Sequence, residues 1–202
     1  MADYNLTTRW ELAAAPREIY DLIAEGAAYP QWWPSVFLES RVLEPGDEWG
    51  IGRLVEVRTA AFLLFTLMWR YRVTSVRPAE TMAVETTGDL EGLGLWSFEA
   101  SDTHCVARFN WRGQVTRSPF RQLPTFLRPV FHACHRWAME RGFTSLLLEV
   151  WRRRTDDIEA REWLPRPPGP AFPRNLRPWR PRGTTPPAHR APARPDHHCG
   201  PS

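Results

Sequence analysis

From Phe37 to Val115 the chain alternates apolar and polar residues with a period of two, and it keeps that period for roughly eighty residues. Only half-buried β-strands give this pattern. The alternation predicts strands over Phe37–Leu43, Gly52–Ala60, Phe65–Val76, Thr81–Thr87, Leu93–Ser101 and Cys105–Val115. Turn signals separate them: EPGDEWG, RPAE, GDLEG and SDTH. Connections this short join neighbours as antiparallel hairpins. A sheet of this size with one apolar face cannot stand alone in water, so some other element has to cover it.

One such element is available. Residues 118–154 carry the only long helical period, with Leu127, Phe131, His135, Ala138, Gly142 and Leu146 on one face and Cys134, Met139, Phe143, Leu147 and Val150 beside them. Ser118 and Pro119 offer N-cap and N1 residues, but Pro124 and Pro129 interrupt the first turns, so the continuous helix is expected to begin near Pro129. Before the sheet run, Asn5–Leu12 alternates as a first strand. AAAPREIYDLIAEG follows as a short helix with Pro16 at N1 and Gly26 as its stop, and YPQWWPSV reads as one helical turn. The fold class predicted is therefore α+β: a curved seven-stranded antiparallel sheet wrapped around one long C-terminal helix, with two short helices after the first strand. A curved sheet gripping a single helix leaves a hollow between them.

The face turned to that hollow is aromatic. Trp69 and Tyr71 alternate with Arg70 and Arg72; Trp96, Phe109 and Trp111 continue the same side on later strands. Phe131 and Met139 face it from the helix. The YPQWWPSV turn closes one end, and because successive residues of a helical turn point about 100° apart, Trp32 and Trp33 cannot face the same way. At least one of the two rings is expected to line the hollow. Aromatic walls of this kind suit a flat apolar ligand; the bland alternative is that the rings fill a core.

Composition narrows the function. All 26 basic residues are Arg, and the acids number 23. Residues 155–202 hold 8 of those Arg and 5 of the acids, so the formal charge of +3 belongs to this segment and residues 1–154 are neutral. A neutral domain lacks the field of a nucleic-acid binder, and none is expected as a partner. Residues 165–202 contain 12 prolines and no apolar period, which predicts an Arg/Pro-rich disordered tail over 155–202 behind a single domain at 1–154. No run reaches the ~18 apolar residues of a membrane span. The N-terminus has no secretory h-region, and Cys105, Cys134 and Cys199 form no disulfide pattern, so a cytoplasmic bacterial-type protein is expected.

The ordered set of motifs resembles the START-like, or Bet v 1-like (SRPBCC), superfamily of helix-grip proteins, and within it the polyketide cyclase/dehydrase-type group. The motifs are APREIYDLIAE followed by YPQWWPSV, LEPGDEWGIGR leading into a strand, GDLEGLGLW with FNW after it, and RPVFHACHRWAMERG on the last helix. The resemblance runs from about Asn5 to Trp151. It implies an enclosed cavity for a small hydrophobic or aromatic molecule, polyketide- or lipid-like, and among similar proteins both cyclases and ligand carriers. An enzyme of this group would cyclise or dehydrate its substrate with no metal or redox cofactor. The sequence departs from the group at Cys134, a position that often carries Asn.

His135 is the candidate catalytic residue, because its helical position turns it to the covered face, where an imidazole could move a proton on a carbonyl substrate. A hydrogen-bonded core histidine is the competing reading. His132, Cys134 and His135 lack the third or fourth ligand that a zinc site needs, so no metal is expected there; His197, His198 and Cys199 in the tail are no stronger. Asp89 and Glu91 in GDLEG read as turn chemistry, and Arg70, Arg72, Arg108 and Arg112 as partners of acids such as Glu56, Glu85 and Glu99 on the outer face. Three functions remain open: a cyclase-like enzyme, a carrier or sensor of a hydrophobic ligand, and a scaffold acting through the Arg/Pro tail. Ligand identity and oligomeric state are not encoded in any motif.

Overall fold

A computed structural model describes residues 4–60, 65–101, 104–117 and 128–170. The first strand, β1, is Tyr4–Leu12; α1 is Pro16–Ala24; a 3-10 turn spans Gly26–Ala28; and α2 is Tyr29–Trp32. Six strands follow: β2 Phe37–Glu44, β3 Leu54–Ala60, β4 Thr66–Arg77, β5 Thr81–Gly88, β6 Leu90–Ser101 and β7 His104–Val115. The long helix α3 is Arg128–Arg154, and a short helix α4 spans Ile158–Trp163.

The seven strands form one antiparallel sheet in the order β1-β7-β6-β5-β4-β3-β2. Every pairing is sequential except β1 with β7, which brings the N-terminal strand to one edge. The register aligns the inward rings across neighbours: Thr8 opposite Phe109, Phe109 opposite Trp96, Trp96 opposite Met82, and Tyr71 opposite both Val55 and Thr86.

Strand limits differ from the alternation by more than one residue at two places, for local reasons. β3 begins at Leu54 rather than Gly52, because Gly52 sits in a turn at φ 84°. β6 begins at Leu90 rather than Leu93. Asp89 accepts a hydrogen bond from Met68 N (2.8 Å) and pairs with Arg117 (3.1 Å), so GDLEG is a compact corner from which the strand starts at once. Asp89 therefore does structural work, and Glu91 accepts from Gln114 Nε2 at 3.2 Å. On the outer face Arg70 pairs with Glu56 (2.8 Å) and Arg108 with Glu99 (2.5 Å), whereas Arg72 takes Glu44 (2.7 Å).

Helix α1 starts on Pro16, and Glu18 reaches back to accept from Ala15 N at 2.7 Å. The same carboxylate receives two hydrogen bonds of 2.7 Å from Arg154 at the end of α3, and Arg154 also donates to Ala13 O. Arg153 reaches Glu25 at 2.8 Å. The three terminal Arg of α3 suit the negative end of its dipole, and two of them also fasten α3 to α1. Beneath this clamp Leu146 and Val150 pack with Ile19, Leu22 and Ile23 as solid core. The hollow lies under the other half of α3.

The segment after Arg154 was expected to lack structure throughout. Asp157 caps the six-residue α4 by accepting from Glu159 N at 2.9 Å, a local signal that a search for apolar periods passes over. Ser118, Pro119, Pro124, Leu127 and the remainder of the tail lie outside the described residues.

Candidate functional site

A cavity of about 180 Å³ lies between the sheet and the N-terminal half of α3. Of the residues expected at a ligand site, Trp33, Trp69, Tyr71, Trp96, Phe109, Trp111, Phe131 and Met139 line it, and so does His135. Trp32 does not. Its ring is 1% exposed and stacks on Trp33 at 5.4 Å between centroids, on the side away from the cavity. Trp33 ends the turn in a non-helical conformation, φ −124° and ψ 51°.

Trp33 reaches the cavity because α3 gives way to it. A Cβ placed on Gly142 would stand 2.2 Å from Trp33 Cζ2, so only glycine lets this indole lie against the helix. Trp33 also meets Phe37 and Trp10 edge-on, at 5.0 and 5.9 Å. The wall includes residues outside the expected ligand-site set, among them Tyr29, Phe37, Thr59 and Thr86. Tyr29 and Phe37 flank the WW pair. Thr86 falls on the inward face by alternation with Met82 and Val84, whereas nothing in the alternation marks Thr59 as the partner of Trp69.

Those threonines change what the wall offers. Trp69 Nε1 donates to Thr59 Oγ1 (3.0 Å), and Trp111 Nε1 to Thr86 Oγ1 (3.3 Å). Trp111 crosses β6 to reach Thr86 on β5, over strand positions held by glycine: Gly92 lies opposite Thr86, and Gly94 opposite Trp111. This accounts for the GLGL alternation of β6, with glycines inward and Leu93, 64% exposed, outward. The Trp69 and Trp111 indole N–H groups are therefore taken up by the wall itself, whereas Trp33 Nε1 is buried without a hydrogen-bond partner.

The remaining polar groups sit at the two ends. At one end Tyr29 OH donates to Ile23 O (2.5 Å) and shares a hydrogen bond with Tyr71. Tyr29 has one proton to give, so Tyr71 is the donor to Tyr29. Burial holds both phenols above their usual range, and both stay protonated. The Tyr71 hydroxyl fills the space a Cβ on Gly26 would need, at 1.6 Å. At the other end His135 Nε2 lies 3.0 Å from Thr8 Oγ1, with its ring stacked on Phe109 at 6.5 Å. Burial first, and the nearby His132 second, push the His135 imidazole down to about 4. It is neutral at pH 7 and can donate or accept a hydrogen bond, but it is a weaker base than a solvent-exposed histidine.

Chemically the wall is apolar, with a hydroxyl pair at one end, one neutral imidazole at the other and the unpartnered indole N–H of Trp33. Among the described lining residues there is no carboxylate, Lys or Arg. Among the described residues no group of three or more His, Cys, Asp or Glu converges as metal ligands would, and His197, His198 and Cys199 lie outside those residues. No described helix is long and apolar enough to cross a membrane.

A sheet gripping a C-terminal helix over an apolar hollow defines the helix-grip fold of the START and Bet v 1 proteins. The chain belongs to the polyketide cyclase / dehydrase and lipid transport family, whose sequence model matches residues 12–131. No curated protein matches it. Among solved structures it is similar to the Zhui aromatase/cyclase from Streptomyces sp. R1128, at TM-score 0.61 and 15% identity over 77% of this chain and 98% of that one. A START superfamily protein from Mycobacterium smegmatis gives 0.59 and 15% over 74% and 98%. A point mutant of norcoclaurine synthase from Thalictrum flavum, in complex with a transition-state analogue, gives 0.55 and 14% over 76% and 98%. Likeness at such identity concerns the fold.

Proposed function

We propose that the protein binds a compact hydrophobic or aromatic molecule in the cavity between the sheet and α3. The observation that carries this reading is the cavity itself: about 180 Å³, walled by Trp33, Trp69, Trp96, Phe109, Trp111 and Phe131. An engineered apolar cavity of about 150 Å³ takes up benzene. The volume therefore suits one or two fused rings, while a longer polycyclic chain would need the walls to open. Stacking against indole and phenyl faces supplies the affinity, and the Tyr71 and His135 ends orient whatever polar groups the molecule carries.

Cyclisation or dehydration of such a ligand is the second reading, and membership of the family favours it. Its rate would come mainly from holding a reactive conformer in a dry, shaped space. His135 would be the catalytic residue, accepting or returning a proton as a neutral imidazole. Replacing His135 by Ala should then abolish turnover while binding persists, and full activity of that variant would rule the catalytic role out.

Native mass spectrometry of the purified protein tests the binding reading by detecting a co-purified small molecule. A defined probe, 2-methoxynaphthalene, should raise thermal stability by RT ln(1 + [L]/Kd), about 2.7 kcal/mol at a hundredfold excess over Kd. Ala138 lines the cavity from α3, and Ala138→Phe should fill it and remove that stabilisation. Equal stabilisation of both proteins would place the probe elsewhere.

A further inference from the structure

Outside the apolar cavity a second hollow runs between β1 and α3. This cleft, of about 900 Å³, is lined by Asn5 to Glu11 on β1 and by His132, Arg136, Glu140, Phe143 and Thr144 on α3. β1 is an edge of the sheet, so beyond it stands α3 rather than another strand. The cleft is polar where the cavity is apolar: it holds Thr8 and His132, Thr7 donates to Asn110 Oδ1 and Thr144 to Glu140 O, Arg9 pairs with Glu11, and Arg136 stands 3.9 Å from Glu140.

The two hollows share three wall residues, Leu6, His135 and Met139. Thr8 occupies the inward side of β1 between buried Leu6 and Trp10, an apolar face where a hydroxyl is out of place unless it has a partner. Its partner is His135 Nε2, one helical turn before Met139. The partition thus consists of a leucine, a methionine with an unbranched and adaptable side chain, and one neutral hydrogen bond. A ligand hydroxyl or carbonyl passing between Thr8 and His135 could hydrogen-bond to both and so replace the bond it breaks.

We infer that the cavity and the β1–α3 cleft are two compartments of one binding site, joined through the Thr8–His135 contact, and that the ligand is amphipathic: a one- or two-ring apolar body in the cavity bearing a neutral, hydrogen-bonding chain that lies in the cleft. This rests on the reading of the cavity as a ligand site. It adds where the ligand leaves the cavity and what it carries there. The charges along the cleft balance within pairs, which selects for hydroxyl or carbonyl groups over a charged tail.

The test compares two probes by isothermal titration calorimetry: 2-methoxynaphthalene, and the same naphthyl ether carrying a diethylene glycol chain. The chain-bearing probe should bind about tenfold more tightly, the equivalent of about 1.4 kcal/mol. In Thr144→Trp, whose indole would fill the cleft, the ratio of the two affinities should fall to about one. If both probes bind the unaltered protein equally, the two-compartment site is overturned while the cavity reading stands. If the ratio survives in Thr144→Trp, the chain does not run through this cleft and the inference fails. If neither probe binds, the cavity reading fails and takes this inference with it.

Discussion

Acidification should destabilise this fold through His135 in a defined window. In the unfolded chain an imidazole titrates near 6.5; in the folded chain burial, with His132 adding to it, lowers His135 to about 4. Above pH 6.5 the group is neutral in both states and contributes no pH dependence. Between 6.5 and 4 the unfolded chain holds the proton and the folded one does not, so stability declines as pH falls. Below about 4 both states are protonated and the decline from this residue ends. The interval is about 2.5 pH units, which at 1.36 kcal/mol per unit amounts to about 3 kcal/mol. The control is His135→Gln, whose amide can still meet the Thr8 hydroxyl but cannot titrate. Glu11, Glu140, Arg9, Arg136 and His132, which line the adjoining cleft, are present in both proteins, so to first order their contributions cancel in the difference. Urea denaturation at half-unit steps from pH 7 to 4 should show the unaltered protein losing about 3 kcal/mol more than His135→Gln. Parallel curves, within 1 kcal/mol of each other across the window, would show that His135 is not held neutral by burial. The reasoning about its environment would then be wrong.

Two further substitutions probe how the site is built. Gly142→Ala puts a methyl group 2.2 Å from Trp33 Cζ2; despite the better helix propensity of Ala, urea denaturation should show a net loss of about 1–3 kcal/mol, and an unchanged midpoint would mean that Trp33 does not lie on α3. Arg154→Ala removes the two-pronged contact to Glu18 at the surface, and the cost should be about 0.5 kcal/mol at low salt and vanish in 1 M NaCl; a large, salt-independent loss would show that α1 is held to α3 by something other than this charge pair.

The sheet was legible from sequence because one face of each strand is core and the other is water, which forces a two-residue period on the side chains. The long helix was legible for the matching reason: Leu146 and Val150 had to meet core once per turn. The strand starts at Leu54 and Leu90 were less accessible, since they depend on a positive-φ glycine and on the Asp89 corner, both of which act through the backbone. Alternation assigns the rings to the inward face but not the packing that follows from it. Side-chain periodicity assigns a face and says nothing of volume. The rings largely pack on one another, Trp96 on Phe109 at 4.6 Å and Tyr29 on Phe37 at 4.5 Å, and the remaining space is small.

The same distinction decides what Trp32 and Trp33 do. Both are bulky, adjacent and buried, and their rings stack at an interplanar angle of 28°, although the sequence predicts that they face different ways. Which one meets the ligand space is set from across the molecule, by the absence of a side chain at Gly142. Likewise the hydrogen-bonding capacity of Trp69 and Trp111 is settled by Thr59 and Thr86, residues that carry no functional signature of their own. Polarity in this cavity is therefore assigned by subtraction. With the Trp69 and Trp111 indoles satisfied within the wall, what remains is the unpartnered Trp33 Nε1, the Tyr71–Tyr29 hydroxyls at one end and the Thr8–His135 pair at the other. The second pair also forms part of the partition to the polar cleft between β1 and α3, beside Leu6 and Met139.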